Sequence, residues 1–270
     1  MTALSEQEFC LFADYMYDHC GLNLKQKKHL IENRLHGLLP KFELPSFSAL
    51  YNLMVNDVSG ELATTIVDRL CTNHTFFMRE NRHFDFFRDK VLPELKTRVR
   101  NRDLRIWSAG CSSGQEAYTL AMIIADFFDS EPAAWDTRIL ATDISSRVLQ
   151  KAREALYEEE DLHHLPSIWR LNYLQSLGGG NCRINERLRK EVIFRRFNLL
   201  EETYPFKQKF HVIFCRNVMI YFDAQTKREL VNRFYEITAP GGYLFIGQAE
   251  TLNREDSRFK YVMPAVYRKE

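Results

Sequence analysis

The chain has 270 residues, 45% hydrophobic and 27% charged, room enough for a full α/β domain and a smaller companion. Its 37 basic and 36 acidic side chains nearly cancel, which excludes a global field drawing it to nucleic acid or an anionic membrane. No apolar run approaches the ~18 residues of a spanning helix, and the start Met-Thr-Ala-Leu-Ser lacks the form of a signal peptide. The six cysteines contain no C-x-x-C pair, so a cytoplasmic chain with free thiols, no metal and no membrane insertion is expected.

Residues 1–72 read as a small all-helical domain. Phe9, Phe12, Ala13 and Met16 recur at helical spacing, and Gly21 stands where a C-cap belongs. A second helix is expected over 25–39, stopped by Pro40. Ser46 and Ser59 are expected to cap a third and a fourth. Residues 73–98 read as a connecting segment, Asn73-His-Thr-Phe-Phe-Met-Arg79, and a helix from Asn81 bearing Phe84, Phe87 and Val91. From 99 to 270 the pattern alternates. Strands are expected at 104–107, 138–142, 191–197, 212–215 and 243–247, and helices at 115–128, 145–155 and 224–237. A turn at Pro240-Gly-Gly precedes the last long strand, and a hairpin closes the chain at 259–267. Such alternation predicts an α/β fold with a doubly wound, mostly parallel sheet. Gly178-Gly-Gly and Cys182-Arg-Ile-Asn interrupt it, and a small β insert is expected near 168–190, on the main sheet.

The first strand runs into a loop of small residues with Gly110 and Gly114, and a helix opens directly after it. Such a turn lets a ligand lie against main-chain N–H groups and the helix N-terminus. The second strand ends on Asp143, where a carboxylate suits the hydroxyls of a ribose. There is no G-x-G core, no G-K-[ST] and no base in the loop, so a pyrophosphate is disfavoured. Glu116, at the helix opening, repels phosphate but suits an ammonium or sulfonium. An adenosyl cofactor with a positive centre and no phosphate meets these conditions: S-adenosylmethionine. Taken singly, each residue also has a plainer role. Glu116 suits the positive end of a helix, Asp143 a cap, Arg79 an interdomain salt bridge and Tyr221 the core.

The runs Asn73-His-Thr75-Phe-Phe-Met-Arg79-Glu, Trp107-Ser-Ala-Gly-Cys-Ser-Ser-Gly-Gln-Glu116, Ala141-Thr-Asp143, Phe197-Asn198-Leu199 and Cys215-Arg-Asn-Val-Met-Ile-Tyr221 occur in that order. With them the chain resembles the CheR family of chemotaxis protein-glutamate O-methyltransferases, over nearly its whole length. The resemblance implies a class I S-adenosylmethionine-dependent methyltransferase, Rossmann-like, with an all-helical N-terminal domain and an antiparallel β insert. It implies glutamates of chemoreceptors as substrate. By the same resemblance, Gly110 and Gly114 admit the cofactor to the backbone, Glu116 meets its ammonium and Asp143 its ribose. Asn198 and Leu199 hold the adenine, Arg216 and Asn217 complete the shell, and Asn73, Thr75 and Arg79 close the site. Arg79 pairs with the carboxylate of cofactor or substrate, and it and Tyr221 are expected to position the glutamate.

Lys27, Lys28 and Arg34 on the second helix are expected to face the acidic, helical cytoplasmic region of the receptor, at receptor arrays. The short Gly178 loop points to an enzyme independent of a receptor tether, and nothing demands more than a monomer. A cofactor-holding module with little turnover is the alternative from another class.

Overall fold

The computed structural model describes residues 3–129, 135–253 and 257–270. Five helices make the N-terminal bundle: α1 (Glu6–Cys20), α2 (Lys28–Leu35), α3 (Leu38–Lys41), α4 (Phe47–Asn56) and α5 (Glu61–Leu70). Helix α1 starts on a reciprocal cap. The Ser5 hydroxyl accepts from Glu8 N, and the Glu8 carboxylate accepts from Ser5 N. It ends at Gly21, whose φ of 68° lets the backbone turn back on Met16 and Tyr17.

The helix expected over 25–39 is two. It breaks at Gly37, where a missing side chain weakens helical order, and Pro40 lies inside the short α3. That position is in the first turn, where a missing N–H costs nothing. Ser46 caps α4 as expected, accepting from Ala49 N at 3.1 Å. At α5 the cap position belongs to Gly60, and Ser59 and Asp57 supply the acceptors for Glu61 N and Leu62 N. Phe12, Met16, Ile31, Leu35, Phe47, Leu50 and Ile66 bury one another in a core separate from those around the sheet.

The connection is α6 (Arg82–Phe86), a π-turn (Phe87–Val91) and α7 (Leu92–Arg98). Pro93 sits in the first turn of α7, and the widened turn before it absorbs the lost hydrogen bond and the bulk of the ring. Phe84 and Phe87 pack there on Phe214 of the sheet.

The main sheet has seven strands in the order β6-β2-β1-β7-β8-β10-β9. These are β1 (Ile106–Ala109), β2 (Ile139–Asp143), β6 (Val192–Arg196), β7 (Phe210–Cys215), β8 (Thr238–Ile246), β9 (Lys260–Met263) and β10 (Val266–Arg268). Strands β6 to β8 run parallel, and β10 and β9 form an antiparallel edge. Helices α8 (Gln115–Phe127), α9 (Ser146–Glu154) and α12 (Ala224–Ile237) connect them. The chain winds from β1 outward to β2 and β6, then crosses back to β7. The order therefore reverses between β1 and β7, and a crevice opens at their carboxyl ends. The Pro240-Gly-Gly turn lies within β8 as an irregularity in its pairing with β7. Gly241 has φ 69° there, which favours glycine, and the Arg98 guanidinium lies against its open side.

The insert differs from expectation in extent and place. It starts at β3 (Leu156–Glu158) and continues through α10 (Ser167–Tyr173), β4 (Leu174–Gly178) and β5 (Asn181–Ile184). These strands form their own antiparallel sheet, β3-β5-β4, apart from the main one. A strand as short as β3 leaves no periodicity to read. A four-residue helix, α11 (Glu186–Arg189), leads back to β6.

Candidate active site at the strand tips

A cavity of about 310 Å³ opens at the carboxyl ends of β1, β2 and β7. That is within the usual size of a small-molecule site. Its wall includes Asn73, Thr75, Arg79, Gly110, Glu116, Asp143, Asn198, Leu199, Arg216, Asn217 and Tyr221, which the fold brings together from five segments. The bundle closes the opposite side with Cys20, Leu24, Lys27, Leu30 and Cys71.

The loop after β1 is bare backbone. Gly110 has φ 87°, and a Cβ there would lie 2.4 Å from Val218 Cγ2, so only glycine fits. Gly114, by contrast, does not line the cavity. It has φ 96° and is packed against Ala152 and Tyr157 at the start of α8, where a Cβ would be crowded. Asp143 fastens this loop. Its two oxygens accept from Ser112 N at 2.8 Å and Ser145 N at 2.9 Å. Burial raises its carboxyl above the ordinary value, partly offset by these N–H groups. The Ser112 hydroxyl donates to the Asn73 carbonyl at 2.8 Å and ties the connecting segment to the same loop. The Asn73 amide nitrogen is buried and has no partner among the described residues, a donor left over for a ligand.

The loop after β7 is crowded with charge. The Arg216 side chain, 2% exposed, bonds Glu116 Oε2 at 3.0 Å and Glu80 Oε2 at 3.0 Å, and also donates to the Arg79 carbonyl. Glu116 accepts in addition from the Ser108 hydroxyl at 2.6 Å. Glu80 accepts from Asn217 Nδ2 and Gln248 N. Burial alone would raise Glu80, but Arg216, Asn217 and Gln248 N together hold it below the ordinary carboxylate range. His83 lies beneath. Burial, then the Arg216 charge, push it down to about 4, so it is neutral at pH 7. Two carboxylates against one guanidinium leave this cluster at −1, and Asp143 adds another negative charge. Arg79 and Lys27 stand elsewhere on the wall, so the negative charge is local to this floor, where it suits a sulfonium or an ammonium. Left-handed backbone at Met78, Glu80, Ser112 and Asn217 clusters around the same cavity.

Two of the expected residues also have partners that the sequence did not show. The Asn198 amide donates to the His19 carbonyl at 2.7 Å and accepts from Leu200 N, so it joins α1 to the exit of β6. Arg34 donates to the carbonyls of Arg69, Leu70 and Cys71, capping α5 rather than facing outward. Lys28 pairs with Glu6 at 2.6 Å, and of the three basic residues Lys27 alone lines the cavity. Arg79 donates to the His74 carbonyl, lies over Phe76 and has no ion pair among the described residues. Glu80 escaped the sequence reading. It adjoins Arg79 in the same run, but nothing local marks it as the partner of an arginine over a hundred residues away.

Two family descriptions match the chain: "CheR methyltransferase, all-alpha domain" over residues 7–71, and "CheR methyltransferase, SAM binding domain" over 73–267. The chain belongs to the CheR family. The CheR chain is 40% identical over 270 residues to a chemotaxis protein methyltransferase of Borreliella burgdorferi, covering 98% of this chain and 95% of that one. It is 35% identical to relatives of the same description from Escherichia coli, with 98% and 91% covered, and Vibrio parahaemolyticus, with 97% and 96% covered. The sheet and its crevice are thus those of an S-adenosylmethionine-binding methyltransferase domain that works in chemotaxis. The unpartnered Asn73 amide, the acidic floor and the bare Gly110 loop fit that cofactor. Among the described residues no helix is long and apolar enough to cross a membrane.

Proposed function

We propose that this CheR protein moves the methyl group of S-adenosylmethionine to glutamate side chains in the cytoplasmic helical region of chemoreceptors, forming methyl esters. The acidic floor at Glu116 and Asp143, with the unpartnered Asn73 amide beside it, carries this reading. When bound, the cofactor supplies an electrophilic methyl on a sulfonium. The protein's part is arrangement. A glutamate with an ordinary pKa of about 4.3 is already ionised at neutral pH, so no general base is required. None of the described histidines lining or flanking the cavity is needed for proton transfer.

In this reading Asp143 keeps a free lone pair on each oxygen for ribose hydroxyls, and Glu116, steadied by Ser108 and Arg216, meets the ammonium. Asn73 spends its unpartnered amide on the ligand. Leu199 flanks the adenine, with Asn198 shaping that wall. Arg79, without an acidic partner among the described residues, draws a carboxylate, and Tyr221 aligns the incoming glutamate with methyl and sulfur. The bundle side, Cys20, Leu24 and Leu30, excludes water as anion and cation neutralise each other. Lys27 supplies the basic edge for an acidic receptor helix. The chain acts as a monomer in the cytoplasm at receptor arrays, without needing a receptor tether, and with no metal.

The test is transfer of labelled methyl from S-adenosylmethionine to a receptor-containing membrane fraction. Base treatment should release the label as volatile methanol, because esters hydrolyse. Label that survives base, or no transfer while S-adenosylhomocysteine still binds, would overturn the reading. Receptors with and without their C-terminal tail should be methylated equally.

A further inference from the structure

We propose that Glu250 is a positioning residue for methyl transfer, holding the loop after β7 in the shape that turns Arg216 and Tyr221 toward the cavity. The proposal rests on the methyltransfer reading above. Just past the end of β8, Glu250 N donates to the Gly247 carbonyl at 2.9 Å, and this turn folds the Glu250 side chain beneath the exit of β7. There Glu250 is 5% exposed. Its Oε2 accepts from Gly247 N at 2.5 Å and Asn217 N at 3.2 Å, and its Oε1 accepts from Ile220 N at 3.0 Å. One carboxylate thus gathers amides from both loops.

Those amides belong to the residues that shape the site. Asn217 is held in a left-handed conformation, φ 59°, between the cavity residue Arg216 and the turn Met219–Tyr221. Its side chain reaches the other way, to Glu80 Oε1 at 3.2 Å. The loop is therefore gripped by Glu250 through its backbone and by Glu80 through Arg216 and Asn217. Gly247 completes the fit, since a Cβ would lie 2.6 Å from Asn217 Nδ2 and 3.0 Å from Glu250 Oε2. No cation pairs with Glu250 among the described residues, and burial raises its carboxyl above the ordinary range despite the N–H groups facing it. A buried carboxylate without a cation is costly. What it secures in return is a loop conformation that no apolar side chain could hold, because the amides would then be left without acceptors. Glu250 does not line the cavity, so it acts through the loop.

Glu250→Gln keeps the volume but turns an amide donor toward N–H groups. Glu250→Asp keeps the charge on a shorter arm. Each is assayed beside the wild type for kcat, KM for receptor, the Kd of S-adenosylhomocysteine and Tm. The core variant Leu95→Ala serves as a destabilised control away from the loop. The Gln variant should lose about 10²-fold in kcat while the Kd stays within about threefold, and the Asp variant should recover part of the rate. Wild-type turnover matched by the Gln variant would overturn this proposal alone. So would a rate loss no larger than that of Leu95→Ala at equal loss of Tm. Absence of transfer in the wild type would overturn the functional reading and this proposal with it.

Discussion

The two loops that meet in the crevice are built in opposite ways. The loop after β1 owes its shape mainly to its own backbone, Gly110 with φ 87° and Ser112 with φ 48°, fastened by Asp143 of the neighbouring strand β2, which accepts from Ser112 N. The loop after β7 owes its shape to partners brought from elsewhere. Arg216 is met by Glu116 and Glu80, and Asn217 by Glu80 and Glu250. The first therefore announces itself as a motif, while the second depends on the fold being complete. Where they touch, Gly110 faces Val218.

Arg216→Ala breaks the second loop most severely. It leaves Glu80 and Glu116, each half-buried, as carboxylates without their cation, a loss of about 3 kcal/mol. Thermal unfolding should register it as a Tm lower by roughly 10 °C, and Arg216→Lys should recover only part.

His83 sharpens the contrast through pH. Its pKa is about 4 in the fold against an ordinary 6.5, so between these values the unfolded chain binds the proton and the folded chain does not. Stability is fully present above pH 6.5 and is lost as pH falls toward 4. The His83→Gln variant should lack that component, worth up to about 3 kcal/mol. Denaturant unfolding of both proteins at several pH values checks it: equal slopes would show that His83 does not titrate as its burial demands.

The first loop is broken by Gly110→Ala, which adds both a strained φ and a clash with Val218. A loss of about 1–3 kcal/mol and weaker S-adenosylhomocysteine binding by calorimetry are expected. Adding Val218→Ala should restore part of the binding. Strict additivity in that double-mutant cycle would mean that the two loops do not constrain each other.

The smallest effects separate two basic residues on one helix. Arg34→Ala removes the cap of α5 and should cost about 1 kcal/mol while leaving the receptor KM unchanged. Lys27→Ala should leave Tm unchanged and raise that KM. The reverse pattern would return Arg34 to the docking face.

Much of this architecture was legible in advance, for physical reasons visible in particular elements. Helix α12 occupies the expected residues because Asp223 caps it and Leu230, Val231 and Phe234 recur on one face. The parallel strands β1, β2 and β7 are runs of apolar residues ending on small or polar ones. The misses share one cause. The strand β3 is too short to show a period, Gly37 splits the expected second helix, and Arg34 finds its carbonyls on α5.

The sequence by itself determined the alternation that makes the sheet, the glycine loop after β1, the acid at the end of β2 and the family to which the chain belongs. All of these depend on neighbours within a few residues, where backbone geometry and side-chain period leave little choice. Only the tertiary structure decided which carboxylate meets Arg216, that Glu250 holds the β7 exit, and that Lys27 alone of its group borders the cavity. Those outcomes follow from burial, which requires each charge and amide to find a partner wherever the completed fold puts one.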